Sequence, residues 1–179
     1  MLAFRAQRHN AFPVHIHNVC NTSREMLWLV SLTGQALARN THLVTFANAF
    51  MAAGPCTEMI LWELAAHSLT ATVSGWHLNP CAVAKNRQPQ HCSAMEPRIH
   101  AEVGHVAARA QLDRKETCRI VKALLDKYEK QIAQAPIGKS FTECYDPVLV
   151  RPRDEYRKLW DQGKKELAKL GLDFGLIHQ

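Results

Sequence analysis

The sequence predicts an α/β fold. β-rich runs alternate with helical periodicities through the first half and only helical patterns follow, while 179 residues with 47% hydrophobic side chains suffice for one buried core. Such alternation is the pattern of βα units built around a parallel sheet. About three strands are legible, fewer than the eight that close a barrel. The residues alone therefore leave two architectures open, a small α/β domain or the trailing part of a barrel.

Residues 12–20 carry Val14, Ile16 and Val19 behind Pro13, which suits the first position of a strand, and predict a strand with His15 and His17 on one face. Asn21, Thr22 and Ser23 are N-cap candidates, and Glu25 stands three residues after Thr22 in capping-box spacing. Met26, Leu27, Val30 and Leu37 then recur helically to about Asn40. Leu43, Val44, Thr45 and Phe46 mark a second strand over residues 41–50, with a loop at 51–54. Pro55 is placed to open a helix, since its missing N–H is an orphan there anyway. Met59, Ile60, Leu61, Leu64, Ala65, Leu69 and Val73 cover much of that helix's circumference, so it is expected to be buried as far as Ser74 and Gly75.

Residues 76–84 predict a third short strand, made irregular by Pro80, and 85–93 a polar loop. Helices follow over 95–111 and 114–134, the second presenting Ile120, Val121, Leu124, Leu125, Tyr128 and Ile132 on one face until Pro136 and Gly138 stop it. A charged amphipathic helix over 154–170 comes after an extended connection holding Pro147 and Pro152. The expected organisation is residues 1–93 as strand–helix units and 94–179 as a helical region, in one structural unit.

A formal charge of +6 would suit nucleic acid. Lys and Arg, however, interleave with Glu, as in Arg114-Lys115-Glu116 and Lys164-Lys165-Glu166, which is the pattern of solvated helix faces rather than a basic stripe. No apolar run approaches the ~20 residues of a membrane-spanning helix. The N-terminus lacks the order of a secretory signal, so a cytoplasmic protein is expected, with its six cysteines reduced.

Two runs decide between the architectures: Ala53-Gly54-Pro55-Cys56-Thr57-Glu58-Met59, and Ala135-Pro136-Ile137-Gly138-Lys139-Ser140-Phe141-Thr142-Glu143-Cys144-Tyr145-Asp146. With Pro13-Val14-His15-Ile16, Arg24-Glu25, Met95-Glu96, Arg98 and Glu102-Val103, in that order along the chain, the sequence resembles the C-terminal part of the monomethylamine:corrinoid methyltransferases. The resemblance implies a (β/α)8 TIM barrel, here incomplete and helix-rich. It also implies methylamine metabolism in methanogenesis: a methyl group moved from monomethylamine, or a related methylated amine, to the cobalt of a separate corrinoid protein. A corrinoid carried by that partner, and association into a homo-oligomer, come with it.

Archaeal members of the family carry pyrrolysine in the barrel mouth, encoded by an in-frame amber codon. The match begins after that position and after a glutamate that contacts it, so a gene reading that took the amber codon as a stop and restarted at a later Met, and a genuine truncation, are both open. The chain is expected to be inactive alone. The family's remaining contribution is a Gln and a Tyr just before the Gly-Pro-Cys-Thr-Glu-Met run, and counting back places them on Asn48 and Phe50. Asn48 keeps the amide one methylene shorter, and Phe50 lacks the hydroxyl, which points to a relative with an altered methyl donor. Because a barrel places its chemistry at the C-terminal ends of its strands, Asn48, Phe50, His15 and His17 are the candidate catalytic residues.

Other chemistries compete for the same residues. His15 and His17 with Cys20, or Cys81, His91 and Cys92, invite a small metal-binding α/β domain, although no Cys-x-x-Cys or His-Glu-x-x-His motif is present, and no metal is expected. Cys56, at the opening of a helix, is a possible nucleophile, yet Thr57 and Glu58 there more often satisfy free N–H groups. Trp28, Trp62 and Trp160 are read as core or interface residues, Cys144 and Tyr145 as packing anchors, and His100, Glu102 and His105 as surface or supporting residues. A non-catalytic remnant that binds a corrinoid protein or a homologous barrel is the remaining alternative.

Overall fold

The computed structural model describes residues 8–11, 13–85 and 88–178. Three strands, β1 (Arg8–Ala11), β2 (Val44–Phe50) and β3 (His77–Val83), lie in sequential order in one sheet, and β2 runs parallel to both neighbours. Helix α1 (Arg24–Asn40) connects the first pair and α2 (Glu58–Val73) the second. Parallel neighbours require such crossovers, so the expected βα units are present.

The strand expected over residues 12–20 is not there. Phe12 lies outside the described residues, β1 ends at Ala11, and 13–20 form a loop with a turn at 16–18. Backbone bonds from His15 N–H to Cys20 O (2.8 Å) and from Val19 N–H to His15 O (2.7 Å) close it, with Val19 at φ 53°. The alternating apolar residues misled because Ile16 faces solvent, 80% exposed, instead of packing in a sheet.

Helix α1 is capped by Ser23, whose hydroxyl accepts the Met26 N–H; the capping box expected from Thr22 is overturned because that hydroxyl donates instead to the buried Glu63. Similarly, α2 starts at Glu58 with Thr57 as its cap, while Pro55 and Cys56 form the turn before it. Every residue from Met59 to Ala71 is buried. The reason is position: α1, α3 (Met95–Arg109), α4 (Arg114–Tyr128) and α6 (Asp154–Lys169) all pack on α2, as do β2 and β3. Gly163 lets α6 approach closely, since a Cβ there would lie 2.9 Å from Leu61 Cδ1.

Between β2 and β3 the register slips. Phe46 and Ala47 pair with His77 and Leu78, but Ala49 and Phe50 pair with Ala82 and Val83, so β3 bulges around Pro80. A residue without an N–H is tolerated in a strand at such a place.

After α4, a 3₁₀ segment (Glu129–Gln134) replaces the last turns of the helix expected to run to 134. The short α5 (Phe141–Cys144) carries a Ser140–Glu143 capping box. The expected extended connection contains a small antiparallel hairpin, β4 (Tyr145–Asp146) with β5 (Arg151–Pro152). One hydrophobic cluster draws on both halves of the chain, joining Leu61, Leu64, Ile99, Leu124, Tyr156 and Trp160. Trp62 and Trp160 belong to it, whereas Trp28 stands 64% exposed on α1.

Candidate functional site

The loops that follow the three strands share one end of the sheet, and a cleft of about 380 Å³ opens there. His17 and Asn18 enter it from the loop after β1, Met51 and Ala52 from the loop after β2, Lys85 from the end of β3, and Ile132 from the 3₁₀ segment. The cleft thus lies at the carboxyl ends of the strands, the end at which α/β enzymes place their chemistry.

Asn48 and Phe50 lie two apart on β2 and so share a face of the sheet. Asn48 is 7% exposed, and its side-chain Oδ1 has no hydrogen-bond partner among the described residues. Phe50 is half-buried. Asn21 holds the backbone of both: its Nδ2 donates to Asn48 O (2.7 Å), its Oδ1 accepts the Phe50 N–H (2.8 Å), and its own N–H donates to Phe50 O (2.9 Å).

The two histidines occupy the loop after β1, not a strand face. The His15 Nδ1 accepts the N–H groups of His17 (3.3 Å) and Asn18 (3.2 Å), which puts the ring to use in the turn. His17 is exposed at the cleft, its ring 5.8 Å from that of His15.

Sequence reasoning passed over Glu63, although a carboxylate in the middle of a largely apolar helix was a visible signal. It is fully buried; Oε1 accepts from the Thr22 hydroxyl and the Ala52 N–H (2.8 Å), and Oε2 from the Ala53 N–H (2.9 Å). Burial raises its pKa, and the three donors oppose that rise. Tyr128 adds a bond from its hydroxyl to Thr22 O, so α2 and α4 together fix both walls of the cleft.

The two runs that carry the family resemblance, eighty residues apart, meet at this end of the sheet. Gly54 N–H donates to Pro136 O (2.9 Å), Lys139 N–H to Pro55 O (2.9 Å), and the Lys85 ammonium to Ala135 O (2.7 Å). A Cβ on Gly54 would lie 1.7 Å from Ile137 O, and Gly138 sits at φ 71° against Pro55. Both glycines therefore serve one close backbone crossing, in which residues 135–140 strap the loops after β2 and β3.

Competing readings find less support. The Cys56 thiol is pushed up to about 11, by burial first and the Glu155 carboxylate second, and it precedes the helix instead of capping it. Among the described residues no three His, Cys, Asp or Glu side chains gather as a metal site, so His15, His17 and Cys20 do not form one; the Cys81 side chain lies outside what is described. His100 is not a surface residue: it is fully buried against His67, Nδ1 of His67 lying 3.0 Å from Nε2 of His100. Glu102 accepts from Trp160 Nε1 (2.8 Å), and His105 is exposed. Among the described residues no helix is long and apolar enough to cross a membrane.

Sequential parallel strands, each continued by a helix and carrying a polar cleft at their carboxyl ends, define successive βα units of an α/β protein. The crystal structure of the Methanosarcina barkeri monomethylamine methyltransferase MtmB superposes on this chain with a TM-score of 0.87 at 34% identity, covering 94% of this chain and 37% of that one. A structure of the hydroxylamine MtmB complex matches equally, with a TM-score of 0.87. The family model described as monomethylamine methyltransferase MtmB matches residues 1–172. The chain belongs to that family, as the C-terminal part of its TIM barrel. Monomethylamine methyltransferases of Methanosarcina mazei (36% identical over 170 residues) and Methanosarcina barkeri (37% over 175 residues) match 94% and 97% of this chain. The chain spans only 37% and 38% of their lengths.

Proposed function

We propose that this chain supplies the trailing βα units of a cytoplasmic methyltransferase that moves a methyl group from monomethylamine, or a related methylated amine, to the cobalt of a corrinoid held by a partner protein. The observation that carries the reading is the mouth end of β2. There Asn48, three residues before the Met51 that lines the cleft, brings a buried carboxamide oxygen that no described group satisfies. An unpaired buried acceptor of this kind costs ~1–3 kcal/mol, and the N–H of an amine would satisfy it.

In this reading Asn48 orients the amine nitrogen, and the Phe50 ring is an apolar wall. His17 stands at the rim, and His15 shapes the turn that presents it. The partner's corrinoid would supply the metal that accepts the methyl group, and the amine, reacting in its protonated form, would keep the C–N electron pair and depart as ammonia. Aiming the methyl carbon is the contribution this chain makes. Pyrrolysine, in the family members that carry it, belongs to a part of the barrel outside this sequence. Self-association into an oligomer of complete barrels belongs to the same proposal.

The test is reconstitution. The chain is co-expressed with the preceding barrel units of a relative, and cobalt methylation is followed spectroscopically with monomethylamine and a reduced corrinoid protein. Methylation that requires this chain and falls in Asn48→Ala supports the reading, and none in a properly assembled barrel refutes it. A second reading, a non-catalytic remnant that docks on barrel strands, is favoured by β1 and β3 each having one hydrogen-bonded neighbour among the described residues. It predicts assembly in that experiment without methylation.

A further inference from the structure

We propose that Asn21 is a positioning residue of the mouth, its carboxamide standing in for one residue of a strand beside β2 and so fixing Asn48 and Phe50. The proposal rests on the reading of those two residues as the site. Among the described residues β1 pairs with β2 as far as Ala11 opposite Ala47. Asn48 and Phe50, the residues the site depends on, lie just past that last described pair.

Asn21 bonds to them with the chemistry of a strand residue. In a parallel ladder, a neighbouring residue donates its N–H to one carbonyl and accepts an N–H two residues further on. The Asn21 side chain does both: Nδ2 donates to Asn48 O and Oδ1 accepts from Phe50 N–H, on either side of Ala49. Its main-chain N–H then donates to Phe50 O, extending the ladder by one more bond. The residue is completely buried, so water does not substitute for these bonds.

The loop that holds Asn21 is itself held. Next to it Thr22 donates to Glu63 and accepts from Tyr128 through its carbonyl, and Glu63 also takes the Ala52 and Ala53 N–H groups. The loops after β1 and β2 are therefore locked to one another through α2. Aspartate at position 21 would retain the acceptor for Phe50, whereas alanine retains neither donor nor acceptor. A residue acting only through bulk would not distinguish those two substitutions in this way.

The experiment has two arms. In the first, hydrogen exchange is read at single-residue resolution on the full chain. Asn21→Ala is expected to speed exchange of the Phe50 amide about tenfold or more while Thr45 to Ala47 stay protected, and Asn21→Asp to keep Phe50 protected. In the second, Asn21→Ala is placed in the reconstituted barrel and is expected to lower kcat for methyl transfer about 100-fold with a smaller change in KM, as misplacement of a reacting group does.

Unchanged Phe50 protection in Asn21→Ala overturns the proposal, and so does lost protection with full transfer activity. If Asn21→Ala does not fold, Asn21→Asp decides, and loss of Phe50 protection there overturns it. Absence of transfer by the wild-type assembly counts against the methyltransferase reading instead, and the exchange arm then judges Asn21 by itself.

Discussion

Acidification is expected to destabilise this fold through one buried pair. His67 and His100 face each other between α2 and α3 with no exposed surface, and the outer ring nitrogens, His67 Nε2 and His100 Nδ1, have no partner among the described residues. Burial holds His100 down to about 4 and His67 well below its ordinary value, the latter also through His100. Both folded-state values are depressed, so the folded chain binds fewer protons than the unfolded chain once the pH falls below 6.5. Stability is fully present above pH 6.5 and is lost as pH falls towards 4. For His100 alone, 2.5 units correspond to roughly 3 kcal/mol in all, about 2 kcal/mol of it by pH 5.

Buried Glu63 and Glu96 have raised pKa values, chiefly from burial, and slope the other way: what they contribute is lost as pH rises from 4.5 through their folded values. A comparison that removes only the histidines isolates the pair. Urea unfolding at pH 7.5 and pH 5, on wild type and on His67→Leu/His100→Leu, is the assay. Replacing both partners by apolar groups is nearly neutral at pH 7.5. The wild type should lose at least about 2 kcal/mol more than the double variant between the two pH values, the share of His100 alone, to which the depressed His67 adds. Equal losses would refute the assignment.

Gly54→Ala drives a methyl into Ile137 O and breaks the crossing of residues 135–140; overpacking and two lost hydrogen bonds predict roughly 2–5 kcal/mol of destabilisation in chemical denaturation. Tyr156→Phe removes a donor from the buried Glu96, which keeps Ser93 N–H and hydroxyl, and should cost ~1–3 kcal/mol by the same assay. Expressed by itself, the chain should associate with rising concentration in sedimentation velocity, because Ile16, Trp28 and Val148 are 80%, 64% and 86% exposed. A monomer with a sharp, cooperative thermal transition would contradict that expectation.

Local chemistry was legible where one residue type settles the matter. The all-round apolar face of α2 announced its burial, and Gly75 and Asn40 marked the ends of α2 and α1. Pro80 marked an irregular β3, which the bulge explains. Where two local signals competed, tertiary contacts chose. Thr22 had capping-box spacing, but a buried Glu63 needed its hydroxyl more than the helix end did, and Ser23 took the cap. Residues 13–20 had a strand's alternation, but among the described residues no strand pairs with them, and Ile16 faces solvent.

The sequence by itself determined the βα order, the family resemblance and the position of Asn48 and Phe50 at the end of a strand. These depend on neighbours along the chain or on the identity of single residues. Only the tertiary structure decided that Gly54 and Gly138 cross, that Glu63 ties two loops, and that Asn21 continues the ladder of β2. Each of those facts depends on which backbone groups remain unpaired after the sheet has formed, and a donor's partner ten to eighty residues away is not written in its local pattern.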